Sequence, residues 1–181
     1  MRCNLRYRFR LVVAFIFLIY LGKAMAQESL LLELSCQGGQ GCIFDEEDIT
    51  VVATVKNTGS DPVGFPLAYL RRRGPAVTLV DTETGRELPL RINLAPSSLL
   101  KEFTVINPGE SVNFETAVRR DEIISFKDRF VDLTVKMSPA VDVQIGNSPT
   151  LARFSPTAKI KIIGADKIKR DRDLKNYTTP F

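Results

Sequence analysis

The residues able to do chemistry in this chain form three short groups. Cys36 and Cys42 bracket Gln-Gly-Gly-Gln-Gly. Asp45-Glu46-Glu47-Asp48 follows almost at once, and Arg71-Arg72-Arg73-Gly74 comes after a further apolar stretch. The glycines let the backbone turn tightly enough to bring the two sulfurs together, so a Cys36–Cys42 disulfide is expected wherever the compartment is oxidising. The spacing is not that of a CxxC redox centre, and two thiols without histidine make a poor zinc site. The four acids offer oxygen ligands to calcium, but they lack the EF-hand spacing and its glycine, and a solvated loop is the simpler account. Three consecutive arginines suit phosphate, sulfate or an acidic partner, and alternation along a strand would split them between two faces, so a loop is expected to carry them.

What is missing narrows the chemistry further. The 181 residues contain no histidine and no tryptophan. That removes Ser-His-Asp and Cys-His catalysis and imidazole metal sites. No phosphate-binding Walker loop or dinucleotide-binding glycine pattern is present. The expectation is therefore a protein without a catalytic site or cofactor. Hydrolysis by carboxylates or a bound metal is the remote alternative, because the sequence does not pair its acids in space.

The N-terminus supplies the setting. Arg2, Arg6, Arg8 and Arg10 precede an apolar run from Leu11 to Leu21, and Ala24-Met25-Ala26 stands before Gln27. This is the layout of a secretory signal peptide over residues 1–26. The run is too short for the roughly 20 residues of a spanning helix, so no stable membrane span is expected after cleavage. The location expected is periplasmic or extracellular.

Removing that segment changes the charge. The full chain carries 25 basic and 21 acidic residues, net +4. Residues 1–26 hold five basic and no acidic side chains, which leaves 27–181 at −1. Nucleic acid, which wants a broad basic surface, is not an expected partner. The remaining charge is uneven, with residues 159–181 holding seven basic against three acidic groups.

Period-two alternation dominates the body. Ile49, Val51, Ala53 and Val55 alternate with Thr50, Val52, Thr54 and Lys56, then stop at Asn57-Thr58-Gly59-Ser60-Asp61-Pro62. Val131, Leu133, Val135 and Met137 form a second core-facing set. Extended segments are also expected over 63–70 and 99–106, with a hairpin through Asp81–Gly85 and a Pro-Gly turn at 107–110. Residues 121–128 hold the one possible helical turn. The core is expected to lean on Phe65, Phe103, Phe114 and Phe130. This reading gives an all-β fold, a two-sheet antiparallel immunoglobulin-like sandwich of about nine strands over 27–164. Residues 165–181, charged and without periodic apolar spacing, are expected to be a flexible tail.

Two segments carry a family likeness. Ile49–Gly59 ends in Val55-Lys56-Asn57-Thr58-Gly59, and Phe103–Val118 contains Ile106-Asn107-Pro108-Gly109-Glu110-Ser111 followed by Val112 and Phe114. In these the chain resembles secreted bacterial immunoglobulin-like β-sandwich modules, including small β-sandwich proteinase inhibitors. The resemblance implies a fold and no site residues. The function expected is a non-enzymatic module that binds a protein or envelope component, with Arg71, Arg72 and Arg73 as partner contacts. The alternative is an accessory or structural subunit of a surface or pilus assembly, associated with a homologous subunit through an open strand edge.

Overall fold

A computed structural model describes residues 29–37 and 41–178, with the side chains of 175–178 excepted. The expected signal peptide and most of the Gln37–Gln40 glycine loop lie outside the described residues.

The chain runs β1 (Leu30–Cys36), β2 (Cys42–Phe44), β3 (Ile49–Asn57), β4 (Val63–Phe65), α1 (Leu67–Arg73), β5 (Ala76–Asp81) and β6 (Glu87–Pro89). A 3-10 turn (Ser97–Lys101) leads to β7 (Thr104–Ile106), β8 (Ser111–Val118) and α2 (Arg120–Phe126). Then come β9 (Asp132–Ser138), β10 (Val141–Ile145), β11 (Leu151–Phe154), β12 (Ala158–Gly164) and α3 (Ala165–Thr178). The strands make three sheets, ordered β1-β3-β8, β11-β10-β4-β7 and β2-β12-β9-β5-β6. The architecture thus corrects the expected nine-strand, two-sheet, all-β sandwich. Twelve strands divide among three sheets, one of which contains the parallel pair β2–β12, and three helices are built in among the described residues.

The helices show why period-two reading fell short. Residues 63–70 do not stay extended. Leu67 and Leu70, three apart, turn one face into the core, and Pro66 opens the helix while Gly74 closes it at φ 80°. The Gly74 N–H donates to the Leu70 carbonyl at 2.8 Å. A proline before and a glycine after a short helix is the usual polarity of such segments. Arg71, Arg72 and Arg73 are therefore its last turn and not a loop, where their charge complements the carbonyl end of the helix. In α2, Ile123 and Phe126 supply the buried face and Asp121 and Glu122 sit in the first turn. The Glu122 carboxylate accepts the Arg119 N–H at 3.0 Å.

The three sheets enclose one apolar core. Val51, Ala53 and Val55 of β3 are fully buried, as are Leu133, Val135 and Met137 of β9. Phe65 and Phe154 meet edge to face with centroids 5.9 Å apart, the favoured aromatic geometry. Two of the four expected core phenylalanines are placed otherwise. Phe103 is half-buried, and Phe130 is 40% exposed with φ 50°. Phe44, Phe126 and Phe154 are buried in the core.

Segment 165–178 is helical although its sequence has no apolar periodicity, because charges hold its start. The Phe130 N–H donates to Asp166 Oδ2 at 2.7 Å, and the Arg170 guanidinium lies 4.1 Å from the Phe130 ring centroid. Lys167 donates to Asp132, and Lys161 Nζ approaches the other carboxylate oxygen at 3.1 Å, an electrostatic contact without aligned hydrogen-bond geometry. Burial alone would raise the Asp132 carboxyl, but the hydrogen bond from Lys167 and the nearby charge of Lys161 outweigh it and bring it from 3.8 to about 2. A depressed carboxyl contributes stability above its unfolded value and loses it as the pH falls through the folded one. Asp132→Asn should therefore destabilise the protein at pH 7, and its deficit should shrink between pH 4 and 2. Urea titrations of both proteins across that range check this, and a deficit independent of pH would contradict it.

Candidate functional site

The arginines of α1 open onto a groove. Its walls are the end of α1 (Arg71, Arg73, Gly74), the segment after β6 (Leu90, Arg91, Ile92, Asn93), the outer part of β8 (Glu115, Thr116, Ala117), and Arg119 and Glu122 at the start of α2. The cavity is about 340 Å³, within the range of small-ligand sites.

Local structure fixes these walls. Asn93 N–H donates to the Arg73 carbonyl at 2.9 Å, and Leu90 N–H to the Val77 carbonyl at 2.8 Å, so segment 90–93 is tied to the end of α1 and to β5. Arg71 Nη2 donates to the Asn113 carbonyl at 3.0 Å, joining α1 to β8. Arg73 lies 5.8 Å from the Tyr69 ring centroid. Period two on β8 turns Phe114 and Val118 into the core and leaves Glu115 and Ala117 outward.

Four guanidinium groups and two carboxylates therefore share one cavity, an excess of two positive charges. Among the described residues, none of the four arginines forms an ion pair. Glu122 is engaged on the Arg119 backbone. Glu115 makes no hydrogen bond or ion pair with any described residue. Arginine's rigid donor fork suits carboxylate, sulfate and phosphate oxygens.

The structure sorts the sequence candidates. It brings Arg71 and Arg73 into the groove and leaves Arg72 out of its walls. Sequence reasoning missed Arg91, Asn93, Glu115, Arg119 and Glu122, which come from two separate segments, 91–93 and 115–122, and meet only in the fold. The Cys36 and Cys42 sulfurs are bonded, with Cα atoms 5.5 Å apart, at the opening of the β1–β2 connection.

The acids Asp45 to Asp48 are all exposed. Asp48 Oδ1 accepts the Arg120 N–H at 2.7 Å and Glu46 pairs with Arg120 at 3.9 Å, so the run braces the start of α2. Among the described residues no cluster of three or more acidic, histidine or cysteine side chains is arranged to hold a metal.

A second polar cluster lies away from the groove. Lys127 Nζ bridges Asp81 at 2.9 Å and Glu83 at 3.1 Å. Burial would raise the Asp81 carboxyl, but Lys127 and the Glu83 N–H hold it below its usual value. The Asp81 hydrogen bond correspondingly raises Lys127 against the effect of its own burial. This pair ties the β5–β6 hairpin to the end of α2 and is structural.

No family model and no curated protein matches the chain. Solved structures do. The structural genomics target SoR45 aligns over 74% of this chain and 87% of its own, at 9% identity and a TM-score of 0.40. A β-glucosidase from Listeria innocua in complex with glucose aligns over 74% of this chain at 10% identity and a TM-score of 0.32. β-Glucosidase 3B from Thermotoga neapolitana aligns over 73%, at 18% identity and 0.27. The chain spans only about 16% of the length of these two enzymes. β-Glucosidases recur among the matches, where proteinase inhibitors and bacterial immunoglobulin-like modules were expected. That finding corrects the expected family likeness. No protein-binding, envelope or assembly module, the function expected, is named among these matches, and that expectation is not kept. The likeness concerns the path of the chain, and no residue role passes from those enzymes to this protein. Among the described residues no helix is long and apolar enough to cross a membrane.

Proposed function

We propose that this protein takes an anionic ligand in the groove between α1, segment 90–93, β8 and α2. There the ligand lies beside Glu115 and Glu122, the two carboxylates available for acid–base chemistry. One observation carries the reading: four guanidinium groups share the cavity with only two carboxylates, and none of the four forms an ion pair among the described residues. Like charges gathered in excess of their counter-charge repel one another, and a bound anion relieves that cost.

Hydrolysis is the reaction class the groove's own side chains favour, since among the described residues the carboxylates are its proton-transfer groups. The signal-peptide layout at 1–26 and the Cys36–Cys42 pair support work in an oxidising compartment, periplasmic or extracellular.

Calorimetric titration with inorganic phosphate, sulfate and galacturonate in low-salt buffer tests the binding. At least one should bind the wild type, and Arg119→Ala should weaken it about tenfold, the loss of one charge-assisted contact. An unchanged affinity in that variant would remove the groove from the account. Release of product from acidic glycosides, lost in Glu115→Gln, tests turnover; product release that is equal in wild type and Glu115→Gln would exclude Glu115 from the chemistry.

A further inference from the structure

The groove's lining is mixed in a way that a simple anion does not require. Beside the arginines the lining holds Glu115, whose carboxylate only accepts hydrogen bonds, and Asn93 and Thr116, whose side chains both accept and donate. A compact anion such as phosphate offers mostly acceptor oxygens around a concentrated negative charge, so Glu115 would repel it. A ligand that carries hydroxyl donors as well as negative charge satisfies both kinds of group. From this we infer that the ligand is an acidic carbohydrate, a hydroxyl-rich ring or short chain bearing carboxylates. The inference rests on the anion reading above and specifies its ligand class.

Three further features agree. Arg71 is held by the Asn113 carbonyl and Arg73 lies beside Tyr69, which leaves Arg91 and Arg119 as the guanidinium groups free to grip a sugar carboxylate. Among the described residues no aromatic ring lines the cavity, so nucleobases find no stacking platform there, and a neutral sugar has little to hold it without ionic contacts. The volume of about 340 Å³ suits one or two sugar rings. Glu115, on the outward face of β8 and without a protein partner among the described residues, is the natural reader of the ligand hydroxyls.

Calorimetry with trigalacturonate, its uncharged counterpart galactotriose and inorganic phosphate separates the cases. Trigalacturonate should bind about tenfold more tightly than either of the others, a difference of about 1.4 kcal/mol. Glu115→Ala should weaken trigalacturonate about fivefold and leave phosphate unchanged or tighter, because repulsion is removed with the carboxylate. Both side chains lie at the surface, so Glu115→Ala and Arg119→Ala should melt like the wild type. Phosphate binding as tightly as trigalacturonate, with no effect of Glu115→Ala, would overturn the carbohydrate assignment and leave the anion reading standing. Tighter binding of galactotriose than of trigalacturonate would overturn both. Silence with all three probes would overturn both as well.

Discussion

Asn57→Ala should destabilise the protein by about 3 kcal/mol, because it strips three hydrogen bonds from a buried site. Asn57 ends β3 and is fully buried. Its amide donates to the carbonyls of Asp61 and Ile106, both at 2.8 Å, and its side-chain oxygen accepts the Gly59 N–H at 3.0 Å. Its own backbone adds two bonds to the Pro-Gly turn, from its N–H to the Glu110 carbonyl and to its carbonyl from Gly109 N–H. One residue thus fastens the β3–β4 turn to the crossing between β7 and β8. Alanine leaves the buried Ile106 carbonyl without this donor and removes the part-buried bond to Asp61. Asn57→Asp should be at least as damaging, since it sets a carboxylate against those same carbonyl oxygens. Equilibrium urea unfolding measures both, and a loss under about 1 kcal/mol would show that water reaches the turn.

Reversing the two free cations, Arg91→Glu with Arg119→Glu, should weaken binding of an acidic ligand about a hundredfold or more, since each charge-assisted contact contributes about 1.5–3 kcal/mol. Both arginines are exposed, so the double variant should keep its circular dichroism and melting behaviour. Wild-type affinity should also fall as salt rises, because exposed charges are screened over a Debye length of about 10 Å at 0.1 M. An affinity insensitive to both salt and charge reversal would place the ligand elsewhere.

What the sequence disclosed depends on how each element is stabilised. The faces of β3 and β9 were legible because strict alternation reports which side chains meet a dry core. The helix α1 was not, since an eight-residue apolar stretch fits a strand as readily as a short helix, and its deciding features are Pro66 and Gly74 at its ends. The helix α3 was not either, because Asp166, Lys167 and Arg170 anchor it by charge and leave no apolar period. Asn57 was visible as a turn residue, but its buried amide was not, because one of the carbonyls it meets, that of Ile106, comes from a distant part of the chain. Two of the groove's four arginines, Arg71 and Arg73, showed in the arginine run. Arg91, Glu115 and Arg119 did not, for each is an ordinary surface residue until the sheets bring them around one cavity.

The most direct test of the groove is a titration followed by the arginine side-chain Nε–Hε resonances in nitrogen–proton spectra, with trigalacturonate added to the wild-type protein. The account predicts progressive, saturable shifts in the signals of Arg91 and Arg119, smaller ones in Arg71 and Arg73, and none in Arg129 or Arg153. Shifts spread evenly over all the arginines, or confined to those outside the groove, would contradict it.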